Sequence, residues 1–462
     1  MRITFLGAAQ TVTGSRFVID YHHKRILIDC GLFQGPKEIR ARNWEVFADA
    51  RTLDYVILTH AHIDHSGYIP KLIREGFRGR IITTAPTKAL CEILLPDSGR
   101  LHEEDARFAN ITKHSHHDPA LPLYTEADAI AALRYFDARP CDEWIELSPG
   151  CSVRFLRAGH ILGSSILQLA LNADQKQHIV TFSGDLGNGR SLILKDPSLI
   201  VETDTLVMES TYGDRMQPKD DPSEAFANVI EKVLGRGGTL VIPAFALGRT
   251  QEIIYILHCL EEAGRIPKYP VYLDSPMAGS VTEVYSKLNG DIKLEHNPGK
   301  GFDFSTANFK IVGNPDDSML LCMDNSPKIV ISAAGMLTGG RVLHHLKAQL
   351  PRPESGVLFV GYQAEGTKGL LLKNGLRNLR IHHNEIMVEA EIFSIENLSA
   401  HADSNDLVSW VNAIQSKPSA TYLVHGESNA LRTLQYRLIH ECKLEQVYIP
   451  RLGESFRIPL QT

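Results

Sequence analysis

Residues 55–65 read Tyr55-Val56-Ile57-Leu58-Thr59-His60-Ala61-His62-Ile63-Asp64-His65. The run Tyr55 to Thr59 predicts a short buried strand. Its end delivers four ligand-type side chains within six positions, His60, His62, Asp64 and His65, to a loop that can turn them toward one point. Imidazole and carboxylate ligands without sulfur favour a borderline cation such as zinc, with manganese or iron as alternatives, in a site that keeps a position open for water. Without a cation, such a cluster repels itself when protonated and costs desolvation when buried.

At 462 residues, 43% of them hydrophobic, the chain has room for two or three domains with real cores. No apolar stretch approaches the roughly 20 residues that span a bilayer, and Met1-Arg2-Ile3-Thr4-Phe5-Leu6-Gly7 reads as a strand rather than a signal peptide. A cytoplasmic protein without membrane attachment is therefore expected. The seven cysteines, Cys30, Cys91, Cys141, Cys151, Cys259, Cys322 and Cys442, are scattered and form no CxxC pair, which suits free structural thiols in a reducing compartment. A net charge of -6 gives no global basic footprint for nucleic acid, although bound cations would supply positive charge locally.

Short β runs alternate through the first segment, at Arg2 to Leu6, Phe17 to Asp20 and Arg25 to Asp29, with a helix near Tyr68 to Glu75 after the His cluster. Residues 87–140 read as more helical, and Lys113-His114-Ser115-His116-His117-Asp118 as an exposed loop. Strands return near Val153 to Ala158, Ser165 to Leu171 and His178 to Ser183. After Met208 the rhythm changes to βαβ: helix Asp221 to Leu234, strand Thr239 to Pro243, helix Thr250 to Ala263, strand Val271 to Asp274. Strands Lys328 to Ser332 and Gly356 to Gly361, separated by a helix around Gly340 to Leu350, predict a parallel sheet covered on both faces. Beyond Thr367, strands are expected at Glu385 to Ile395 and Ala420 to Val424, with a helix near Asn405 to Ile414 between them.

Three further strand ends carry ligand-type residues beside glycine, Gly159-His160, Gly184-Asp185 and His425-Gly426, where glycine gives the backbone freedom. The HxHxDH segment followed in order by His160, Asp185 and His425 resembles the metallo-β-lactamase superfamily. Met208-Glu209-Ser210-Thr211-Tyr212-Gly213, Leu398-Ser399-Ala400-His401-Ala402-Asp403 and Leu423-Val424-His425-Gly426 are similar to motifs A, B and C of the β-CASP nucleases. Cys30-Gly31-Leu32-Phe33-Gln34-Gly35, Phe245 to Glu252, Ser332 to Leu337 and Gly361 to Thr367 resemble the branch that holds the endonuclease subunit of the eukaryotic cleavage and polyadenylation machinery.

The resemblance implies an α/β fold, an αββα sandwich with an inserted parallel-sheet domain, divided as 1–208, 209–375 and 376–462. It implies two zinc ions, one on His60, His62 and His160, the other on Asp64, His65 and His425, bridged by Asp185. Asp29 matches the superfamily's first motif and would orient the ligand loop, the alternative being an Asp that caps the turn before Gly31. The implied activity is metal-dependent hydrolysis of RNA. Metal-activated hydroxide attacks phosphorus, Asp64 aims the water, and His401, held by Glu209, protonates the departing ribose oxygen to leave a 5′-phosphate and a 3′-hydroxyl. A histidine at motif C accompanies RNA substrates. The N-terminal RNA-binding module and C-terminal extension of longer members are expected to be lacking, and a homodimer is one assembly open to the chain.

Independently of family, helix starts beyond the carboxyl ends of parallel strands bind anions, so Arg249, Ser332, Thr367 and Lys368 are expected to hold RNA phosphates at a cleft between domains. An endoribonuclease is the leading reading. A 5′-3′ exoribonuclease, a thioester or lactone hydrolase on the same metal site, and a non-catalytic subunit are the rivals; the hydrolase does not need the insert, and the non-catalytic subunit would be expected to lack ligands.

Overall fold

A computed structural model describes residues 1–47, 49–113, 118–173, 176–288, 290–293, 306–361, 363–364 and 366–458. The loop expected at 113–118 falls mostly outside the described residues, as do Tyr362 and Glu365 of the 361–367 motif. The described chain forms two compact units, one of Met1–Arg190, Lys195–Met216 and His401–Thr462, the other of Ser191–Leu194 and Gln217–Ala400.

In the first unit two seven-stranded sheets are built from alternating strands. One runs in the order Ser455–Arg457, Arg2–Phe5, Phe17–Tyr21, Lys24–Ile28, Tyr55–Ile57, Arg80–Thr84, Phe136–Arg139; the other runs Val447–Tyr448, Ala420–Val424, Thr205–Glu209, Lys176–Phe182, Ser165–Ala173, Cys151–Arg157, Ile145–Ser148. Every second side chain points inward, so Ile3, Phe5, Phe17, Ile19, Ile26, Ile28 and Ile57 meet Val153, Phe155, Leu167, Leu169, Val180, Phe182 and Val207 in one core. Helices Ser404–Asn412 and Ser428–His440 bury Leu407, Val411, Leu431 and Leu434 in a second cluster with Leu206, Met208 and Leu423, which face outward from their strands. The arrangement is the αββα sandwich. Strand Tyr55–Ile57 lies between Lys24–Ile28 and Arg80–Thr84, parallel to both, which fixes where its carboxyl end delivers His60 to His65.

The second unit holds a six-stranded sheet in the order Phe309–Ile311, Val271–Asp274, Lys328–Ser332, Thr239–Pro243, Gly356–Val360, Glu391–Ile395, parallel at every pairing. Thr239–Pro243, Lys328–Ser332 and Gly356–Val360 are buried at every position, as strands covered on both faces must be. The expected strand over 385–395 is two pieces: Asn384–Met387, paired in a hairpin with Asn378–Ile381, and Glu391–Ile395, which joins the six-stranded sheet beside Gly356–Val360. That pairing carries the second unit to Ala400, so residue 375 lies inside it. Thr205–Glu209 pairs with Ala420–Val424, and the chain first crosses between units at Arg190, returns at Lys195 and crosses again after Met216.

Candidate metal centre

After strand Tyr55–Ile57 the chain turns through His60 and His62 into the one-turn helix Ile63–Ser66. The turn is clamped from behind. Ser15 N–H donates to the Asp64 carbonyl at 2.8 Å and Cys30 N–H to the His65 carbonyl at 2.7 Å. A Cβ on Gly31 would lie 1.6 Å from the Asp64 oxygen, so only glycine fits there. His160 follows strand Cys151–Arg157, Asp185 follows Lys176–Phe182 and His425 follows Ala420–Val424.

These ends converge. His60, His62, His160 and Asp185 present donor atoms all within 4.8 Å of one another, and Asp64, His65 and His425 do the same. Asp185 reaches both groups: Oδ2 is 3.5 Å from His60 Nε2 and 3.6 Å from His160 Nε2, while Oδ1 is 3.3 Å from His65 Nε2 and 3.7 Å from His425 Nδ1.

A second layer orients the first. Asp29 Oδ2 lies 2.7 Å from His65 Nδ1 and its carboxylate accepts from the Thr59 N–H and hydroxyl, leaving His65 Nε2 to face the cluster. Thr59 Oγ1 sits 3.1 Å from His60 Nδ1, and Thr211 Oγ1 3.1 Å from His425 Nδ1. Asp29 and His425 both hold left-handed backbone, with φ of 55° and 50°. Such geometry costs a non-glycine residue about 1–3 kcal/mol and collects at functional sites. Sequence reading did not single out Thr59 or Thr211; their signal was adjacency, Thr59 beside His60 and Thr211 two residues after Glu209.

The electrostatics are those of a site built around positive charge. Burial pushes the His60, His62 and His160 imidazolium forms down, with neighbouring histidines adding to it, and His62 falls to about 3. Burial also disfavours charge on His65, but Asp185 and Asp29 outweigh it and raise its pKa well above the usual imidazole range. For Asp185 and Asp64 burial opposes ionisation and the surrounding histidines win, holding both carboxyls below the usual range. Among the described residues, His60 Nε2, His160 Nδ1 and Asp185 Oδ1 are buried without a hydrogen-bond partner. His65 Nε2 and His425 Nε2 lie 3.2 Å apart, and His160 Nε2 and His62 Nδ1 3.1 Å apart. Orphaned acceptors and facing imidazoles, all nitrogen and oxygen, fit a pair of divalent cations.

Beside this cluster Glu209, 1% exposed, holds His401 Nδ1 at 3.2 Å from Oε2, and its Oε1 accepts the Leu186 N–H at 2.5 Å. The His401 ring centre is 4.4 Å from that of His160. Burial works against the His401 imidazolium, but Glu209, then Asp185 and Asp64, outweigh it and raise its pKa to about 9.

The four expected phosphate ligands all belong to the second unit. Ser332 is 1% exposed and donates its hydroxyl to the Asp274 carbonyl at 3.0 Å. Thr367 caps helix Lys368–Lys373, accepting the Leu370 N–H and donating to the Ala364 carbonyl. Arg249 begins helix Arg249–Glu262 with Nη1 3.3 Å from Glu252 Oε2. Lys368, first in its helix, is half-buried.

The metallo-beta-lactamase superfamily model matches residues 12–226, the Beta-Casp domain model residues 250–372, and the Zn-dependent metallo-hydrolase RNA specificity domain model residues 385–450. The chain is 36% identical over 461 residues to the protein named ribonuclease TTHA0252 of Thermus thermophilus, covering 98% of this chain and 99% of that one. It is 32% identical over 450 residues to transcription termination factor FttA of Thermococcus kodakarensis, covering 93% of this chain and 67% of the factor. A crystal structure titled as a protein of unknown function from Enterococcus faecalis superposes with a TM-score of 0.55 at 17% identity, over 98% of this chain and 99% of that one, which speaks for the fold alone. With a metallo-β-lactamase sandwich, a β-CASP insert and a relative matched end to end, the chain belongs to the β-CASP family of the metallo-β-lactamase superfamily.

Proposed function

We propose that this chain is a zinc-dependent ribonuclease that cuts RNA internally. The observation that carries the reading is the Glu209–His401 pair beside the two ligand groups, because an RNA phosphodiester has a poor leaving group that needs a proton. The relative named a ribonuclease and the RNA specificity domain match over 385–450 support RNA as substrate.

Two bound cations would acidify the water between them and neutralise charge on the phosphoryl oxygens. The Asp64 carboxylate, 20% exposed, accepts a hydrogen bond from the attacking water and aims it at phosphorus. His401 Nε2 gives its proton to the departing ribose oxygen, and Glu209 stabilises the imidazolium until then. Arg249 and Lys368 hold flanking phosphates, with Thr367 fixing the start of the Lys368 helix. The cytoplasm is the compartment assigned, consistent with seven free cysteines. Among the described residues no helix is long and apolar enough to cross a membrane. A homodimer is one assembly to look for by sedimentation.

The test is cleavage of internally labelled RNA with free and blocked 5′ ends by protein of measured metal content. Internal fragments from both RNAs, lost in Asp64→Ala and His401→Ala, support endonucleolysis. Products only from free 5′ ends would make the enzyme a 5′-3′ exonuclease, and metal-loaded protein that cuts neither RNA would overturn the proposal.

A further inference from the structure

We infer that Arg190 is a positioning residue for His401, clipping the segment that carries the acid to the segment that carries Asp185. The inference rests on the general-acid reading of His401 given above.

The loop 185–190 touches Glu209, the segment before His160 and the segment that carries His401. Asp185 lies among the ligand groups, Leu186 N–H binds Glu209, and the Leu186 carbonyl accepts the Ala402 N–H at 2.8 Å. Gly187 pairs with His401 in an antiparallel bridge, and its N–H donates to the Ala158 carbonyl at 2.8 Å, two residues before His160. A Cβ on Gly187 would lie 2.1 Å from the Gly159 oxygen, so this approach is as close as backbone allows. Arg190 closes the loop with a fork: Nη1 donates to Asp406 Oδ1 at 3.0 Å and Nη2 to Asp406 Oδ2 at 2.9 Å, with Asp403 Oδ2 3.6 Å away.

Asp403 and Asp406 are the two ends of the capping box that starts helix Ser404–Asn412: Asp403 accepts the Asn405 and Asp406 N–H groups, and Asp406 accepts the Asp403 N–H. The guanidinium therefore grips Asp406, whose carboxylate also binds the N–H of Asp403, the cap two residues from His401, and so ties the fork to backbone as well as side chain. An isolated surface pair is worth little, but a bidentate fork onto Asp406, 20% exposed and itself bonded to the N–H of the fully buried Asp403, sets geometry. A general acid displaced by about 1 Å loses much of its rate.

The experiment compares Arg190→Gln, Arg190→Lys, Asp406→Asn and His401→Ala, the last with and without Arg190→Gln, on an RNA oligomer and on bis(p-nitrophenyl) phosphate, whose leaving group departs without a proton. The ratio of RNA cleavage to activated-diester hydrolysis should fall about ten- to a hundredfold in Arg190→Gln and Asp406→Asn, and less in Arg190→Lys. Metal content should not change, and amide exchange should quicken at 402–406 but not at 61–66. In the His401→Ala background Arg190→Gln should lower the ratio no further. A ratio that holds in the folded Arg190 and Asp406 variants, or that drops again on top of His401→Ala, overturns the inference while leaving the acid intact. A His401→Ala ratio equal to wild type overturns the general-acid reading and this inference with it. Asp406→Asn breaks the same fork from the other side, so it decides the case if Arg190→Gln does not fold.

Discussion

At the scale of single residues the site depends on groups that never touch a substrate. Asp29 fixes the His65 ring by its 2.7 Å contact to Nδ1, and such partners are worth about ten- to a hundredfold in metal affinity. Asp29→Asn should therefore weaken binding by that factor in a zinc titration of the apoprotein while leaving the far-ultraviolet circular dichroism intact; an unchanged affinity would mean that packing alone orients the ring. Arg16 works on the same loop from behind. It is buried, lies 3.9 Å over the Tyr68 ring, and donates from Nε and Nη2 to the Gly31 carbonyl at 2.9 and 2.7 Å. Arg16→Met keeps much of the volume but strands that carbonyl, so urea unfolding should show a loss of about 2–4 kcal/mol. A loss below about 1 kcal/mol would show that water or a shifted donor replaces the guanidinium.

At the scale of elements, what was legible in the sequence was whatever carries its own period. Thr239–Pro243, Val271–Asp274 and Lys328–Ser332 are short apolar runs bounded by turn residues, and they are strands over the expected residues. Glu391–Ile395 reads as a strand too, but the sheet it joins is decided by hydrogen bonds to a segment far away in sequence. Helices Pro276–Lys287 and Pro315–Met323 were not read from the sequence, although each opens with a capping residue and proline at its first position, Ser275-Pro276 and Asn314-Pro315. In the site, the ligand types and their order were legible, whereas the left-handed backbone at Asp29 and His425 was not, because tertiary contacts impose it on residues that do not prefer it. The burial of Ser332 was equally hidden. Its position at a strand end suggested exposure, but its hydroxyl turns back to the neighbouring strand.

The same neighbour, Asp274, organises three elements of the second unit: Oδ2 accepts from Ser318 at 2.5 Å and lies 2.6 Å from His345 Nε2, and Oδ1 accepts from Arg341 at 2.8 Å. Burial pushes its carboxyl up, but these bonds outweigh burial and hold its pKa below the usual range. A carboxyl with a depressed folded pKa stabilises the fold fully above its unfolded pKa, near 4, and loses that contribution as pH falls toward the folded value. Urea midpoints of the wild type should thus drop more steeply below about pH 5 than those of Asp274→Asn, which starts lower but lacks this titration. Parallel pH curves for the two proteins would show that Asp274 titrates alike in both states.

For the whole molecule, the described residues divide the work between two cores. All three groups of ligand-type side chains lie in the first unit, while the second has a hydrophobic core of its own around Val241, Val342, Leu346, Val357 and Phe359. A ligand bound only to the folded state stabilises it by about 4 kcal/mol at a thousand times its dissociation constant, and this stabilisation belongs to the unit that holds the ligand. In the first unit the need is acute, because seven buried or half-buried His and Asp side chains face one another there with orphaned nitrogens and a strained strand end. Chelation should therefore abolish RNA cleavage and raise amide exchange around His60 to His65, Asp185 and His425, while strands Thr239–Pro243, Lys328–Ser332 and Gly356–Val360 keep their protection. Zinc added back should restore both cleavage and protection in the first unit. Equal loss of protection in both units would mean that the second sheet depends on metal as much as the first. Unchanged exchange in the first unit would mean that its ligand cluster is held by protein contacts alone, with the cations needed for the reaction and not for the fold.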